Sequence, residues 1–231
     1  MRFFHAALFA LVSLAAAKSK STGKRQSPID LPAPELTPAG DETVELTLSK
    51  SSAYLSHLGK TVQAAWDGGK KGKLVLNGEK YKALQLHFHM GSEHLVDGEQ
   101  YALEMHIVHQ NVDDPDQLAV IGVLFEESDE ANPFLDQIFP ALEDDEFVNG
   151  TQVDLGVIHG KSLDLTPGTV FYRYPGSLTT PPYSENVEWL VSAVIQPIST
   201  KQLEAYSTQF PKPTARDIQR LHGREVTLVE L

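Results

Sequence analysis

Not one of the 231 residues is a cysteine, so no disulfide can brace the chain and its fold must rest on its own core. Positive charge is scarce: 19 Lys and Arg stand against 31 Asp and Glu, a formal net charge of −12. A nucleic-acid surface needs clustered Lys and Arg, so that partner class is excluded. The acidity favours solubility and says little about fold. Long apolar runs are missing too: beyond the leader, no segment approaches the ~18 uninterrupted apolar residues of a membrane span. With no internal repeat and no low-complexity linker, one domain is the economical reading.

The leader itself, "MRFFHAALFALVSLAAAKSK", carries a basic Arg2, an apolar run from Ala6 to Ala17 and small residues at Ala15 and Ala17. That is the pattern of a secretory signal cut near Ala17–Lys18, and the run is too short to span a bilayer. A membrane anchor is the alternative. Residues 1–17 therefore read as a signal peptide, 18–24 as a short tail and 25–231 as the domain, acting in a secreted or extracytoplasmic setting. "NGT" at Asn149–Thr151 is a glycosylation acceptor sequence in a polar stretch.

Strand patterns dominate what is present. "TVELTLS" (Thr43–Ser49), "KLVLNGEKYKALQLHFHM" (Lys73–Met90), "YALEMHIVHQ" (Tyr101–Gln110), "LAVIGVLFE" (Leu118–Glu126), "TVFYRYPG" and "NVEWLVSAVIQP" are rich in β-branched and apolar residues. Asn77-Gly78 predicts a hairpin turn, and Asp97-Gly98 a second turn. Two helices are expected. One starts at Asn132-Pro133 and carries Phe134, Leu135, Ile138 and Leu142; the other follows Ser199, with Gln202 completing a capping box ahead of Leu203 and Tyr206. The fold class is mainly β, a β-rich α+β domain.

In "LQLHFHMGSEH" (Leu84–His94), strand alternation puts Gln85, His87 and His89 on one face and Leu86, Phe88 and Met90 on the other. After the Asp97-Gly98 turn, Glu104, His106 and Val108 share a face of the next strand. Antiparallel pairing would let three imidazoles converge, and three histidines with an open fourth position is the ligand set of a catalytic zinc. Gln85 and Glu104 are in phase with the histidines and are candidates to orient their rings. A lone H-x-H in a strand is commonly incidental; the third histidine in phase and its polar companions favour a metal. His109 is out of phase and reads as a hydrogen-bonded core residue, while His57, His159 and His222 default to the surface. "HFHMGSE" also fits the H-x-H-x₃-E half-site of a cupin barrel, which would imply iron or manganese, but the second half-site is lacking.

Taken together, "RQSPID" (Arg25–Asp30), "LQLHFHMGSEHLVDG", "YALEMHIVH", "GSLTTPPYSENVEWLV" and the closing "RDIQRLHGREV" with Arg224 resemble, in order and spacing, the α-class carbonic anhydrases. The resemblance implies a single domain on a large, mostly antiparallel twisted sheet with a few peripheral helices. It implies a lyase hydrating carbon dioxide to bicarbonate and a proton through a zinc-bound hydroxide, with Zn²⁺ on His87, His89 and His106. Gln85 would hydrogen-bond His87, and Glu104 His106. Thr179 would accept from the hydroxide and donate to Glu93; Thr180 would help place bicarbonate. Val108, Val120, Leu178, Val187 and Trp189 would form the apolar wall for carbon dioxide, and His94 would be a buried structural residue.

The chain departs from the family pattern in places. "HLGKTVQ" puts Lys60 where active members carry a histidine proton shuttle. As a residue type, lysine (about 10.4) is a poorer relay at neutral pH than histidine (about 6.5), and His57 is the nearest substitute. The aromatic-rich segment usually preceding "QSPID" is missing, with only Lys18–Lys24 between leader and Arg25. The resemblance would also predict, in many secreted members, a disulfide from that segment to the position held here by Tyr183; both halves are absent. The non-enzymatic alternative is an acidic secreted binding or mineral-matrix protein.

Overall fold

The computed structural model describes residues 23–33, 42–69 and 72–231. The leader and most of the 18–24 tail lie outside the described residues. The strands are β1 (Asp30–Leu31), β2 (Val44–Thr47), β3 (Lys50–His57), β4 (Val62–Ala65) and β5 (Lys73–Leu76). They continue with β6 (Glu79–Met90), β7 (Leu95–Val96), β8 (Glu99–Gln100), β9 (Leu103–Asn111) and β10 (Leu118–Ser128). After these come β11 (Gln152–His159), β12 (Val170–Gly176), β13 (Val187–Ser192), β14 (Gln196–Ser199) and β15 (Thr227–Glu230), with helix α1 (Thr200–Gln209) before the last.

A 12-stranded sheet runs in the order β11-β3-β4-β6-β9-β10-β13-β12-β15, with β14 on β10 and the β2–β5 pair on β6; β1, β7 and β8 form a small separate sheet. Within the large sheet β10 pairs in parallel with β13 and β14, and the other pairings are antiparallel. The domain is therefore mainly β on a mostly antiparallel sheet. The sheet is open, unlike a cupin barrel. Turn chemistry sets two hairpins: Asn77 and Gly78 take φ of 49° and 87°, and Asp97 and Gly98 take 52° and 79°, the paired positive values of a type I′ turn.

Strands β9 and β10 are covered on both faces over most of their length, whereas β6 is exposed at Glu79, Lys80, Lys82 and Leu84 and becomes buried toward Met90. Leu86 and Phe88, Leu103, Met105 and Ile107, then Ala119, Ile121, Val123 and Phe125 enter the larger core cluster. The alternate residues face the other way, where Val108, Val120 and Leu124 join a second cluster with Tyr174, Val187, Trp189 and Val191. One face of three strands thus builds the core, and the other is free to carry a site.

Two expectations need correcting. The segment after Asn132 forms two short 3₁₀ pieces, Leu135–Gln137 and Phe139–Glu143, in place of one helix. Asn132 Oδ1 does cap it, accepting the amides of Phe134 (3.0 Å) and Leu135 (3.3 Å). Pro140, however, has no N–H to continue an α-helical ladder. His57 is buried, not on the surface: it sits opposite Val62 on the core side of β3, between Phe147 and Phe210, with Nδ1 accepting the Gly59 amide at 3.0 Å. Burial lowers its pKa.

Helix α1 has the expected capping box: Ser199 Oγ accepts the Gln202 amide (3.3 Å), and Gln202 Oε1 accepts the Ser199 amide (3.1 Å). Tyr206, from the buried side of α1, donates to the Phe88 carbonyl on β6 at 3.0 Å. Gln202 does more than cap. Its Oε1 also accepts the Asn132 amide (2.9 Å), and its Nε2 donates to the Asn132 carbonyl (2.9 Å) and to Asp136 Oδ1 (2.7 Å). Gln202→Leu should orphan the buried Asn132 amide at about 1–3 kcal/mol, since the Asn132 carbonyl keeps the Asp136 amide (3.1 Å), and should also break the capping box, which alone costs about 1 kcal/mol in Ser199→Ala. Urea unfolding at unchanged m-value measures both; equal shifts in the two variants would show that the Asn132 clasp contributes nothing.

Candidate metal centre

The register of β6 against β9 assembles the centre. His87 stands opposite His106, His89 opposite Glu104 and Gln85 opposite Val108. The ring centroids of the three histidines are 5.2 Å (87–89), 5.2 Å (87–106) and 4.7 Å (89–106) apart, and one nitrogen from each lies within 4.8 Å of the others.

The outer contacts decide which nitrogens point inward. Gln85 Oε1 can only accept, so at 2.9 Å it takes the proton on His87 Nδ1 and leaves Nε2 as the lone-pair nitrogen. Glu104 Oε1, 2.8 Å from His106 Nε2, takes that proton and leaves Nδ1 free. His89 is buried with neither ring nitrogen hydrogen-bonded, and the Thr214 carbonyl lies against the ring. Burial, reinforced by the neighbouring imidazoles, pushes His87 well below the usual histidine range and His89 down to about 3. These two rings are therefore neutral near pH 7, the form that donates a lone pair. His106 differs: burial alone would lower it, but the charge and hydrogen bond of Glu104 and the charge of Glu93 carry it above its ordinary value.

Glu104 has no exposure to water. Its Oε1 accepts from His94 Nδ1 (2.7 Å) as well as His106, and its Oε2 accepts the amides of Glu93 and His94, both at 2.8 Å. Burial would raise its pKa, yet His94 and His106 hold it well below the carboxylate range. His94, Glu104 and His106 also group closely enough to suggest a second metal cluster. His94 is committed on both sides, however, since its Nε2 lies 2.6 Å from the Tyr174 hydroxyl, which lies 2.8 Å from Ser27 Oγ. That group is a hydrogen-bonded chain.

Glu93, almost fully buried, places Oε2 3.5 Å from His89 Nε2 and 4.0 Å from His106 Nδ1, and its Oε1 accepts the Arg216 amide at 3.0 Å. Burial raises its pKa; the His106 charge, the Thr179 hydroxyl and the Arg216 amide pull it partly back. The Thr179 hydroxyl is close enough to act on the carboxyl's pKa, although no hydrogen bond joins the two side chains and Oε2 has no partner. Thr179 is buried and Thr180 exposed, on a loop closed by Tyr183 N donating to Thr180 O (2.9 Å) and Leu178 N to Ser184 O (3.0 Å).

Beside the histidines the sheet is apolar. Gln85, Val108, Val120 and Trp189 form one row across β6, β9, β10 and β13, with Val187 and Leu178 packed in the same cluster. The next row reads His87, His106, Gly122, Val191. A side chain at Gly122 would bring Cβ to 3.1 Å from Glu104 Oε1, so glycine leaves that carboxylate its room. Lys60 is exposed in the Leu58–Thr61 turn between β3 and β4, where Leu58 N donates to Thr61 O at 2.9 Å. Three residues on, Gln63 pairs with His87. His57, turned to the core, does not share this side.

The sequence reading passed over three contributors. The Arg216 amide and the Thr214 carbonyl act through the backbone, which no side-chain pattern announces. Tyr174 looks like one more strand aromatic until its hydroxyl is seen bridging His94 and Ser27.

Comparisons with known proteins point to one family. Eukaryotic-type carbonic anhydrase is the family that matches residues 15–230. Alpha carbonic anhydrase 3 of Arabidopsis thaliana is 37% identical over 217 residues, covering 90% of this chain and 76% of the relative. Among solved structures, the alpha-carbonic anhydrase of Thermovibrio ammonificans in complex with the inhibitor sulfanilamide superposes with a TM-score of 0.72 at 32% identity, covering 88% of this chain and 87% of that one. Dioscorin complexed with ascorbate gives 0.77 at 28% identity, covering 90% and 87%. The chain belongs to the eukaryotic-type carbonic anhydrase family, enzymes of the lyase class that hydrate carbon dioxide.

Proposed function

We propose that the chain hydrates carbon dioxide reversibly to bicarbonate and a proton at a zinc ion held by His87 Nε2, His89 Nε2 and His106 Nδ1. The observation that carries this reading is the set of three convergent ring nitrogens, two with their outer nitrogen committed to an acceptor-only oxygen. The donor set fits the ion: neutral imidazoles suit zinc, and His89 Nε2 and Glu93 Oε2 are buried polar atoms otherwise without hydrogen bonds. Zinc bound there would lower the pKa of water to about 7 and so supply hydroxide at neutral pH.

The chain's own residues do the rest. Glu104, negative beneath His106, strengthens that ring as a donor and fixes its tautomer. Thr179, whose hydroxyl lies close enough to the Glu93 carboxyl to lower its pKa, would donate to that carboxyl and keep an oxygen lone pair turned toward the reacting oxygen. The wall of Val108, Val120, Leu178, Val187 and Trp189 takes a small nonpolar substrate and offers it few hydrogen bonds. Thr180, exposed next to Thr179, would help hold the charged product.

The first test is metal content. Purified protein should hold one zinc per chain, and His87→Ala, His89→Ala or His106→Ala should each lose most of it along with hydration activity. Full occupancy in His106→Ala would overturn the assignment. Glu104→Gln should cost roughly 10–100-fold in affinity or activity.

The substrate wall has its own test. Val108→Tyr should fill the apolar pocket and abolish hydration with zinc still bound, and normal activity in that variant would move the substrate elsewhere.

Lys60 governs proton export in this reading. As a residue type lysine is a poorer relay near neutrality than histidine, so kcat should rise steeply with added imidazole buffer while kcat/KM stays nearly constant. Lys60→His should raise kcat at low buffer and leave kcat/KM alone. A parent kcat already high and indifferent to buffer would mean that another group relays the proton.

A further inference from the structure

We propose that Tyr183 is a positioning residue for this reaction: its ring seats the Arg216 guanidinium and thereby holds the Glu93 carboxyl in register with Thr179. The inference rests on the functional reading above and concerns how that site is kept in shape.

The observation is a closed circuit of contacts. The Arg216 guanidinium carbon lies 3.8 Å from the centroid of the Tyr183 ring, a close cation–π stack. The backbone N–H of the same arginine donates to Glu93 Oε1 at 3.0 Å, and its Nη1 donates to the Ser27 carbonyl at 2.7 Å. Glu93 in turn lies close enough to the Thr179 hydroxyl for that group to lower the pKa of its carboxyl, although no hydrogen bond joins the two side chains. From Thr179 the chain runs four residues on to Tyr183, through the turn closed by Tyr183 N donating to Thr180 O at 2.9 Å. Gln26 Nε2 clamps the far side of that turn by donating to the Tyr183 carbonyl at 3.1 Å. Starting from any of the four residues, the contacts return to it.

The circuit gives one side chain an unusual share of the geometry. Glu93 is held on Oε1 by a main-chain group, so its position follows wherever the 214–216 segment goes. Among the described residues that segment has no regular secondary structure. Its Arg216 side chain is gripped by the Tyr183 face and the Ser27 carbonyl. Tyr183 also takes a left-handed φ of 62°, a conformation that favours glycine or asparagine, so the backbone alone gives no reason for an aromatic residue here. The contact its ring makes supplies one. With no cysteine in the chain, this noncovalent clasp stands at the position where the family resemblance places half of a disulfide.

The test compares zinc-loaded parent, Tyr183→Phe and Tyr183→Leu. Phenylalanine keeps the aromatic face; leucine keeps apolar bulk without it. Tyr183→Leu should lower kcat/KM for carbon dioxide hydration by about 3- to 30-fold, the range of a partly desolvated cation–π contact, with zinc per chain unchanged. It should speed hydrogen exchange at the Arg216 amide by a similar factor. Tyr183→Phe should stay near the parent in both. If leucine and phenylalanine behave alike in both measurements, or if exchange rises while kcat/KM holds, the positioning role is wrong although the enzyme reading stands. A zinc-loaded parent without hydration activity would instead overturn the enzyme reading and this role with it. Should Tyr183→Leu fail to fold, Arg216→Met removes the cation while keeping the amide that Glu93 uses. It should show the same loss, and an unchanged kcat/KM would overturn the proposal.

Discussion

Glu104 is a carboxylate sealed from water, and the arrangement around it depends on that charge being fully answered. A buried charge is costly unless every lone pair finds a donor, and removing one partner of such a group typically costs about 3–5 kcal/mol. Four donors meet Glu104, two imidazole nitrogens and two consecutive backbone amides. The amides belong to Glu93 and His94, so one carboxylate fixes the ring of a proposed ligand and the loop that delivers Glu93. The absence of a side chain at Gly122 belongs to the same design, since a Cβ there would press on Oε1.

That network survives because it sits where the sheet, at β9 and β10, is buried from both sides. The larger cluster under β6, β9 and β10 supplies burial at roughly 25 cal/mol per Å² of apolar surface and locks the register. Register then does chemical work: a slip of one residue would send His87, His89 and His106 into the core and bring Phe88 and Met105 to the site face. The second cluster gives an apolar wall within one row of a polar centre. The two environments alternate along single strands, which is economical for an enzyme whose substrate is apolar and whose product is charged.

How much of this could be read beforehand follows from what carries the information. Period-two alternation in Gln85–His89 and Glu104–Val108 needed only side chains, and both the pairing and the Gln85 and Glu104 contacts were legible. Strands β3, β4 and β11 were not, because "KSSAYLSH" is serine-rich and "QVDLGVIH" is broken by a bulge at Gly156. His57 looked polar in a turn-like string, yet its neighbours in space are Phe147 and Phe210, far along the chain. The helix after Asn132 was overcalled because its apolar spacing is helical, whereas Pro140 removes a donor that spacing does not register. Contacts made through the main chain, at Thr214 and Arg216, leave no trace in residue types.

Without cysteine, closure around the site passes to arginines reading carbonyls. Arg224 donates to the carbonyls of Gln26 (2.7 Å) and Pro175 (2.9 Å), and Arg216 to that of Ser27 (2.7 Å). Ser27 and Ser177 exchange amide–hydroxyl hydrogen bonds at 2.9 and 3.1 Å, in a gap so tight that a Cβ at Gly176 would come to 2.2 Å from Ser27 Oγ. The segment before β1, the end of β12 and the residues leading to β15 are thus stitched where the Thr179 loop begins. Each stitch is a charge-assisted or buried hydrogen bond of modest net worth, so the seam holds by number and by sharing the Ser27 region. A disulfide would tie two points of the chain. This seam ties three segments, and one of its hydroxyls, Ser27 Oγ, is also the last member of the chain that runs through Tyr174 and His94 to Glu104.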